Sequence, residues 1–171
     1  MRVLVTAASR HGGSAEIADW IGERLRRDGI EAIVVRPDEV STLDGIDAVV
    51  LGSGVYAGHW LAPARSLVDR LAEDLVKLPV WLFSSGPVGD PLEPADGPVD
   101  GDRLRQATGA REHRVFAGRI DRSLLGFGEG AIVGAMRIGD RDDRSRSEIE
   151  AWAATIASAI VAYGPAPVLP R

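Results

Sequence analysis

Val3-Leu4-Val5-Thr6, running on into Ala7-Ala8-Ser9-Arg10-His11-Gly12-Gly13-Ser14, is the stretch that decides how this chain folds. β-branched and apolar residues open it, and small polar residues with two glycines follow. Directly behind them Ile17, Ile21 and Leu25 recur at four-residue spacing. The pattern predicts a strand, a short loop and an amphipathic helix over about 15–28. Ser14 stands where an N-cap belongs, Asp28-Gly29 supplies the stop, and Glu16, Asp19, Glu23, Arg24, Arg26 and Arg27 are expected to face outward. A loop of this kind presents backbone N–H groups and a helix N-terminus to an anion. Gly and Ser also suit a plain βα turn, so the loop alone leaves both readings open.

The same alternation continues. Ile30 to Val35 and Ile46 to Leu51 read as strands; continuous apolar runs like the second suit a parallel strand covered on both faces. Pro63 opens a helix to about residue 75, striped by Leu67, Val68, Leu71 and Leu75. Leu78 to Phe83 is a fourth strand, and residues 86–101, rich in Pro, Gly and Asp, form a long loop. A helix over 101–109 and a fifth strand from His113 to Ile120 follow. Ser123 to Met136 is apolar but broken by four glycines, an insertion rather than a membrane span; Arg137 to Arg146 reads as a solvated loop of mixed charge. The last helix covers about 146–163, with Ser145-x-x-Glu148 as a capping box and Ile149, Trp152, Ile156 and Ile160 on its buried face.

Five strands separated by helices predict an α/β doubly wound, three-layer sandwich with a parallel sheet of order 2-1-3-4-5 and helices on both faces. In that topology the chain reverses between strands 1 and 3, and ligands bind at their C-terminal ends. The two glycine loops leave those two strands. Residues 1–164 are expected to form one domain and 165–171 a flexible proline-rich tail.

Composition narrows the function. The chain has 171 residues, 26% of them charged, and a net charge of −5, which argues against a nucleic-acid surface. It contains no cysteine, so thiolate chemistry, disulfides and iron–sulfur ligation are excluded. No Ser–His–Asp order, metal-ligand cluster or paired-carboxylate signature stands out. With no apolar run long enough for a bilayer and no signal-peptide core, a soluble cytoplasmic protein is expected.

Three loops carry candidate binding residues. The first is Ser9, Arg10, His11, Gly12, Gly13 and Ser14; the second is Ser53, Gly54, Val55, Tyr56, Ala57 and Gly58; the third opens with Ser84, Ser85 and Gly86 and runs to Gly89. Gly52-Ser53-Gly54-Val55-Tyr56-Ala57 formally fits the dinucleotide fingerprint, but it follows the third strand and lacks a ribose-binding acid at the end of a following strand. Loop one resembles the flavodoxin phosphate loop through Ser9, Gly12 and Ser14, with His11 and Gly13 in place of the usual Thr and Asn.

Glu16-Ile17-Ala18, Gly58-His59 before an aromatic, Val115-Phe116-Ala117-Gly118, and Gly139-Asp140 leading to Glu150-Ala151-Trp152 look like the flavodoxin-type, menaquinone-dependent protoporphyrinogen oxidases. That resemblance implies flavin mononucleotide (FMN) as a non-covalent cofactor. Loop one would take its phosphate, and loops two and three its ring, with Tyr56 or Trp60 shielding one face. It further implies an FMN-dependent oxidoreductase of haem biosynthesis, with a porphyrinogen, quinone or redox protein as partner. A flavodoxin-type electron carrier and a cofactor-free relative of the fold are the other two readings. His59, near the expected ring, is a candidate for handling protons.

Overall fold

The computed structural model describes residues 1–86, 98–120 and 140–163. The expected end of loop three, the 123–136 insertion and the 165–171 tail fall outside these residues. Within them the elements are β1 (Arg2–Ala8), α1 (Gly13–Arg27), β2 (Glu31–Val35), β3 (Ala48–Tyr56), β4 (His59–Trp60), α2 (Ala62–Leu75), β5 (Val80–Ser85), α3 (Gly101–Thr108), β6 (Glu112–Phe116), β7 (Arg119–Ile120), β8 (Arg141–Asp142) and α4 (Arg146–Ala162).

Five parallel strands lie in the order β2-β1-β3-β5-β6, the predicted 2-1-3-4-5 arrangement. Successive side chains of β1 point to opposite faces, as the two-residue strand period requires. Val3, Val5 and Ala7 join Ile17, Ile21, Leu25, Ile149, Trp152 and Ile156 on the side covered by α1 and α4. Leu4 and Ala8 join Val49, Leu51, Leu67, Val68, Leu75 and Leu104 on the side covered by α2 and α3. Each such aliphatic side chain, fully removed from water, stabilises the fold by about 1.5–3 kcal/mol.

Phe83, Phe116 and Trp152 form an aromatic cluster in the α1/α4 layer, with ring centroids 5.4–6.3 Å apart and Trp152 edge-on to both phenylalanines. The Trp152 indole N–H donates to Glu112 at 3.0 Å, so its polar end is also satisfied.

Four expectations need correction. The third strand runs to Tyr56, so Gly52, Ser53 and Gly54 belong to β3, and the loop proper is a two-residue turn. β4 folds back on β3 in antiparallel pairing, adding a short sixth strand. The fifth strand ends at Phe116 rather than Ile120: Arg119–Ile120 turn away and pair with Arg141–Asp142 as a separate small sheet. Finally, the run Asp140 to Arg146 is not wholly solvated, because the Arg144 side chain is 2% exposed.

Candidate functional site

The site is built where β1, β3 and β5 end. Register pairs Ala8 with Ser53 and Gly54 with Ser85, so the three loops leave the sheet at one level on one edge. In an open α/β sheet, that edge beside the point where strand order reverses is where ligands bind.

Loop one begins α1 with Gly12, not Ser14. Gly12 takes a left-handed conformation, φ 83°, and serves as N-cap; Ser14 lies inside the first turn and is buried. The expected cap therefore moves two residues, because a Cβ-free residue adopts the required backbone at little cost. No side chain among the described residues caps the helix, so the Gly13, Ser14 and Ala15 amides have no acceptor there, while the Glu16 N–H donates to the Gly12 carbonyl. The hydroxyls of Ser9 and Ser14 likewise have no hydrogen-bond partner among the described residues. An uncapped helix N-terminus with two unused hydroxyls is a donor set that fits a phosphate ester.

Loop two is the β3–β4 hairpin. Tyr56 pairs with His59, and the two residues between them, Ala57 and Gly58, have φ of 49° and 80°. Two left-handed residues in succession form the turn type whose twist matches a tight hairpin. The Ser53 hydroxyl locks the hairpin from inside: it donates to the Gly54 carbonyl at 2.8 Å and accepts the Leu61 N–H at 2.9 Å. Tyr56 meets loop one directly. Its ring lies 6.1 Å from that of His11, with the Arg10 guanidinium 5.7 Å from its centroid.

Loop three starts at Gly86, which packs on Val55: a Cβ there would stand 3.0 Å from the Val55 carbonyl oxygen. The Ser85 hydroxyl faces the Ala117 carbonyl at 3.4 Å. Ser84 points away from the site. Its buried hydroxyl accepts the Trp60 indole N–H at 2.7 Å and sits 2.7 Å from His113 Nε2. The structure thus brings Ser9–Ser14, Ser53–Gly58, Ser85 and Gly86 to one edge, while the Ser53 and Ser84 hydroxyls are committed to the protein.

The Trp60–Ser84–His113 chain was not visible in the sequence reading. Burial, followed by the Arg105 guanidinium, pushes the His113 imidazole below the ordinary histidine value, with Asp102 and Asp100 opposing. A neutral imidazole accepting at Nε2 completes the series Trp60 N–H to Ser84 Oγ, Ser84 O–H to His113. Trp60 itself is 1% exposed. Asp100, just before α3, receives the Trp60 backbone N–H at 3.3 Å and stands 3.7 Å from His59 Nδ1. Beside it, the Val99 N–H donates to the Gly58 carbonyl at 2.7 Å, tying the start of α3 to the hairpin.

Two arginines were also missed. Arg119 donates to the His11 carbonyl and to both Glu16 oxygens, each at 3.1 Å. Arg144 donates to the Gly13 carbonyl at 2.9 Å and pairs with Glu16 at 2.6 Å. Glu16, expected to face outward, is therefore bridged by two guanidinium groups. Only the mixture of signs in residues 140–146 hinted at partners, since pairing across more than 100 residues leaves no local pattern.

A fold of this order with three loops on its switch-point edge defines a flavodoxin-like protein. A sequence profile for the flavodoxin domain matches residues 4–147, and the chain belongs to that family. Membership implies a flavin site. Protoporphyrinogen IX dehydrogenase [quinone] of Escherichia coli strain K12 is 29% identical over 86 residues, 49% of this chain and 48% of that protein. The chain thus matches about half the length of its curated relatives.

Among solved structures, an archaeal flavodoxin superposes with a TM-score of 0.67 at 15% identity, covering 94% of this chain and 99% of that one. Oxidised flavodoxin 1 of Bacillus cereus gives 0.62 at 17% identity over 96% and 100% of the two chains. At such identities these neighbours establish the fold. No helix among the described residues is long and apolar enough to cross a membrane, and no group of acids and histidines among them suits a metal ion.

Proposed function

We propose that the chain binds FMN at the ends of β1, β3 and β5 and acts as an oxidoreductase that takes electrons from a porphyrinogen-class donor and passes them to a quinone. One observation carries the cofactor: among the described residues the N-terminus of α1 has no side-chain cap, and the hydroxyls of Ser9 and Ser14 beside it have no partner. Ser9, Arg10, His11, Gly12, Gly13 and Ser14 would hold the phosphate. Ser53, Gly54, Val55, Tyr56, Ala57, Gly58, Ser84, Ser85 and Gly86 would frame the ring, with Ser84 contributing through its backbone because its hydroxyl is bonded inward. When bound, the flavin would supply the one- and two-electron chemistry.

The chain's own part is orientation and proton handling. The hairpin is held by Ser53 from within and by Asp100 and Val99 from the start of α3. A quinone needs two protons as well as two electrons to become a quinol. His59 is half-exposed on the hairpin with Asp100 at 3.7 Å, and it is the side chain we assign to that delivery. The porphyrinogen and quinone assignments draw support from the half-length likeness to the Escherichia coli dehydrogenase.

The test is sequential. Apoprotein titrated with FMN should quench flavin fluorescence to a one-to-one end point; no binding overturns the proposal. The loaded protein should then oxidise protoporphyrinogen IX with a menaquinone analogue as acceptor. Binding without turnover supports the second reading, an electron carrier, which the net charge of −5 favours by suiting a basic redox partner.

A further inference from the structure

Loop one does not hold its shape alone. Its two outward carbonyls, His11 and Gly13, are each taken by a guanidinium group that arrives from the β7–β8 region, 108 and 131 residues away in sequence. In a planar trans peptide the C=O of one residue and the N–H of the next point in opposite directions. Pinning the His11 carbonyl on Arg119 therefore turns the Gly12 N–H away from Arg119. Pinning the Gly13 carbonyl on Arg144 does the same for the Ser14 N–H. The Gly12 carbonyl between them is already used by the Glu16 N–H at 2.9 Å. Two clamps on alternate carbonyls thus fix the direction of two amides at the start of α1.

The clamps are themselves braced. Arg144 forms a two-pronged pair with Asp142, at 2.8 and 2.7 Å, and lies 4.9 Å from the Trp20 ring centroid. Its 2% exposure leaves it no freedom to swing out. Arg119 is 23% exposed, and its Nη2 would stand 3.7 Å from a Cβ built on Gly12, so its charge lies against the left-handed cap. Glu16 and Asp142 together balance the two cations, so the clamp works by direction rather than by net charge.

We propose that Arg119 and Arg144 are positioning residues for a phosphate monoester. They act through the loop carbonyls, aiming the Gly12 and Ser14 amides at the dianion. The inference rests on the proposed FMN site, and its consequence is specific: the arginines set affinity for the phosphate and not for the ring.

The experiment uses the apoprotein and three probes: FMN, riboflavin and inorganic phosphate. Dissociation constants come from flavin fluorescence for the first two and from thermal upshift for the third. Arg119→Ala should weaken FMN by about tenfold or more, a loss of the size expected when a charge-assisted contact is removed. Riboflavin should change by less than about twofold, and the phosphate upshift should disappear. Arg119→Lys keeps the charge but cannot span the His11 carbonyl and Glu16 together. It should recover part of the FMN affinity.

Arg144→Lys is the second variant, read in the same way; its circular dichroism confirms folding before titration. Equal losses for FMN and riboflavin, or none for either, would overturn the proposal. If wild type binds inorganic phosphate in an Arg119-dependent manner but ignores FMN, the clamp stands and the FMN reading falls. If wild type binds neither FMN nor phosphate, both fall.

Discussion

Adjacent glycines at the start of α1 should respond to alanine with opposite signs. Gly12 has φ 83° and nothing nearer than 3.7 Å to a built Cβ, so Gly12→Ala meets an ordinary contact but a left-handed backbone. That conformation costs an L-residue about 1–2 kcal/mol. Loss of freedom in the unfolded chain returns about 0.4–1 kcal/mol, leaving a net destabilisation near 1 kcal/mol. Gly13 is the first helical residue, and a Cβ there would rest 3.9 Å from the Arg119 Cβ, an ordinary contact. Gly13→Ala keeps only the favourable part and should stabilise by about 0.4–1 kcal/mol.

Urea unfolding of the two apoprotein variants should separate them by about 1.5–2 kcal/mol at equal slope, or several degrees in Tm. If Gly12→Ala is neutral, or if Gly13→Ala costs as much as its neighbour, the assignment of Gly12 as the left-handed cap is wrong. Because Gly12 also aims the first amides, Gly12→Ala should weaken FMN while Gly13→Ala leaves it nearly unchanged.

Three further outcomes are expected. Ser84→Ala strands the buried Trp60 indole N–H and should cost about 1–3 kcal/mol; combined with Trp60→Phe the loss should be less than additive in a double-mutant unfolding cycle. Because the folded His113 value lies below the unfolded one, the unfolded state binds more protons. Stability is therefore complete above about pH 6.5 and is lost as pH falls toward the folded value, with this residue's slope at most about 1.4 kcal/mol per unit. His113→Gln should flatten that part of a pH series of denaturation curves. Trp152→Ala empties the aromatic cluster with Phe83 and Phe116 and should cost about 3–5 kcal/mol, read by thermal unfolding.

Periodicity is a local property, and the parts of this molecule set by local pattern were legible. Ile17, Ile21 and Leu25 gave α1; Leu67, Val68, Leu71 and Leu75 gave α2; Ile149, Trp152, Ile156 and Ile160 gave the last helix. Alternation of strands and helices then gave the sheet order. Ser145 caps α4 as expected, accepting the Glu148 N–H, but the Glu148 side chain goes to Arg114 instead of closing the box.

What stayed hidden depends on side chains that meet only in the folded chain. Arg119 and Arg144 looked like ordinary members of charged stretches, and Ser84 looked like a loop donor until Trp60 and His113 closed on it. The strand end at Phe116 was missed because Arg119 and Ile120 continue a strand-like composition while pairing elsewhere.

The reach of Arg144 across 131 residues has a consequence for synthesis. A nascent polypeptide that has left the ribosome only as far as α3 already carries the glycine turn and four of the five parallel strands. It still lacks both guanidinium groups. On the proposed reading, early-emerging sequence builds the scaffold and late-emerging sequence switches on the pocket, so truncated translation products should fold in part yet come off the column colourless.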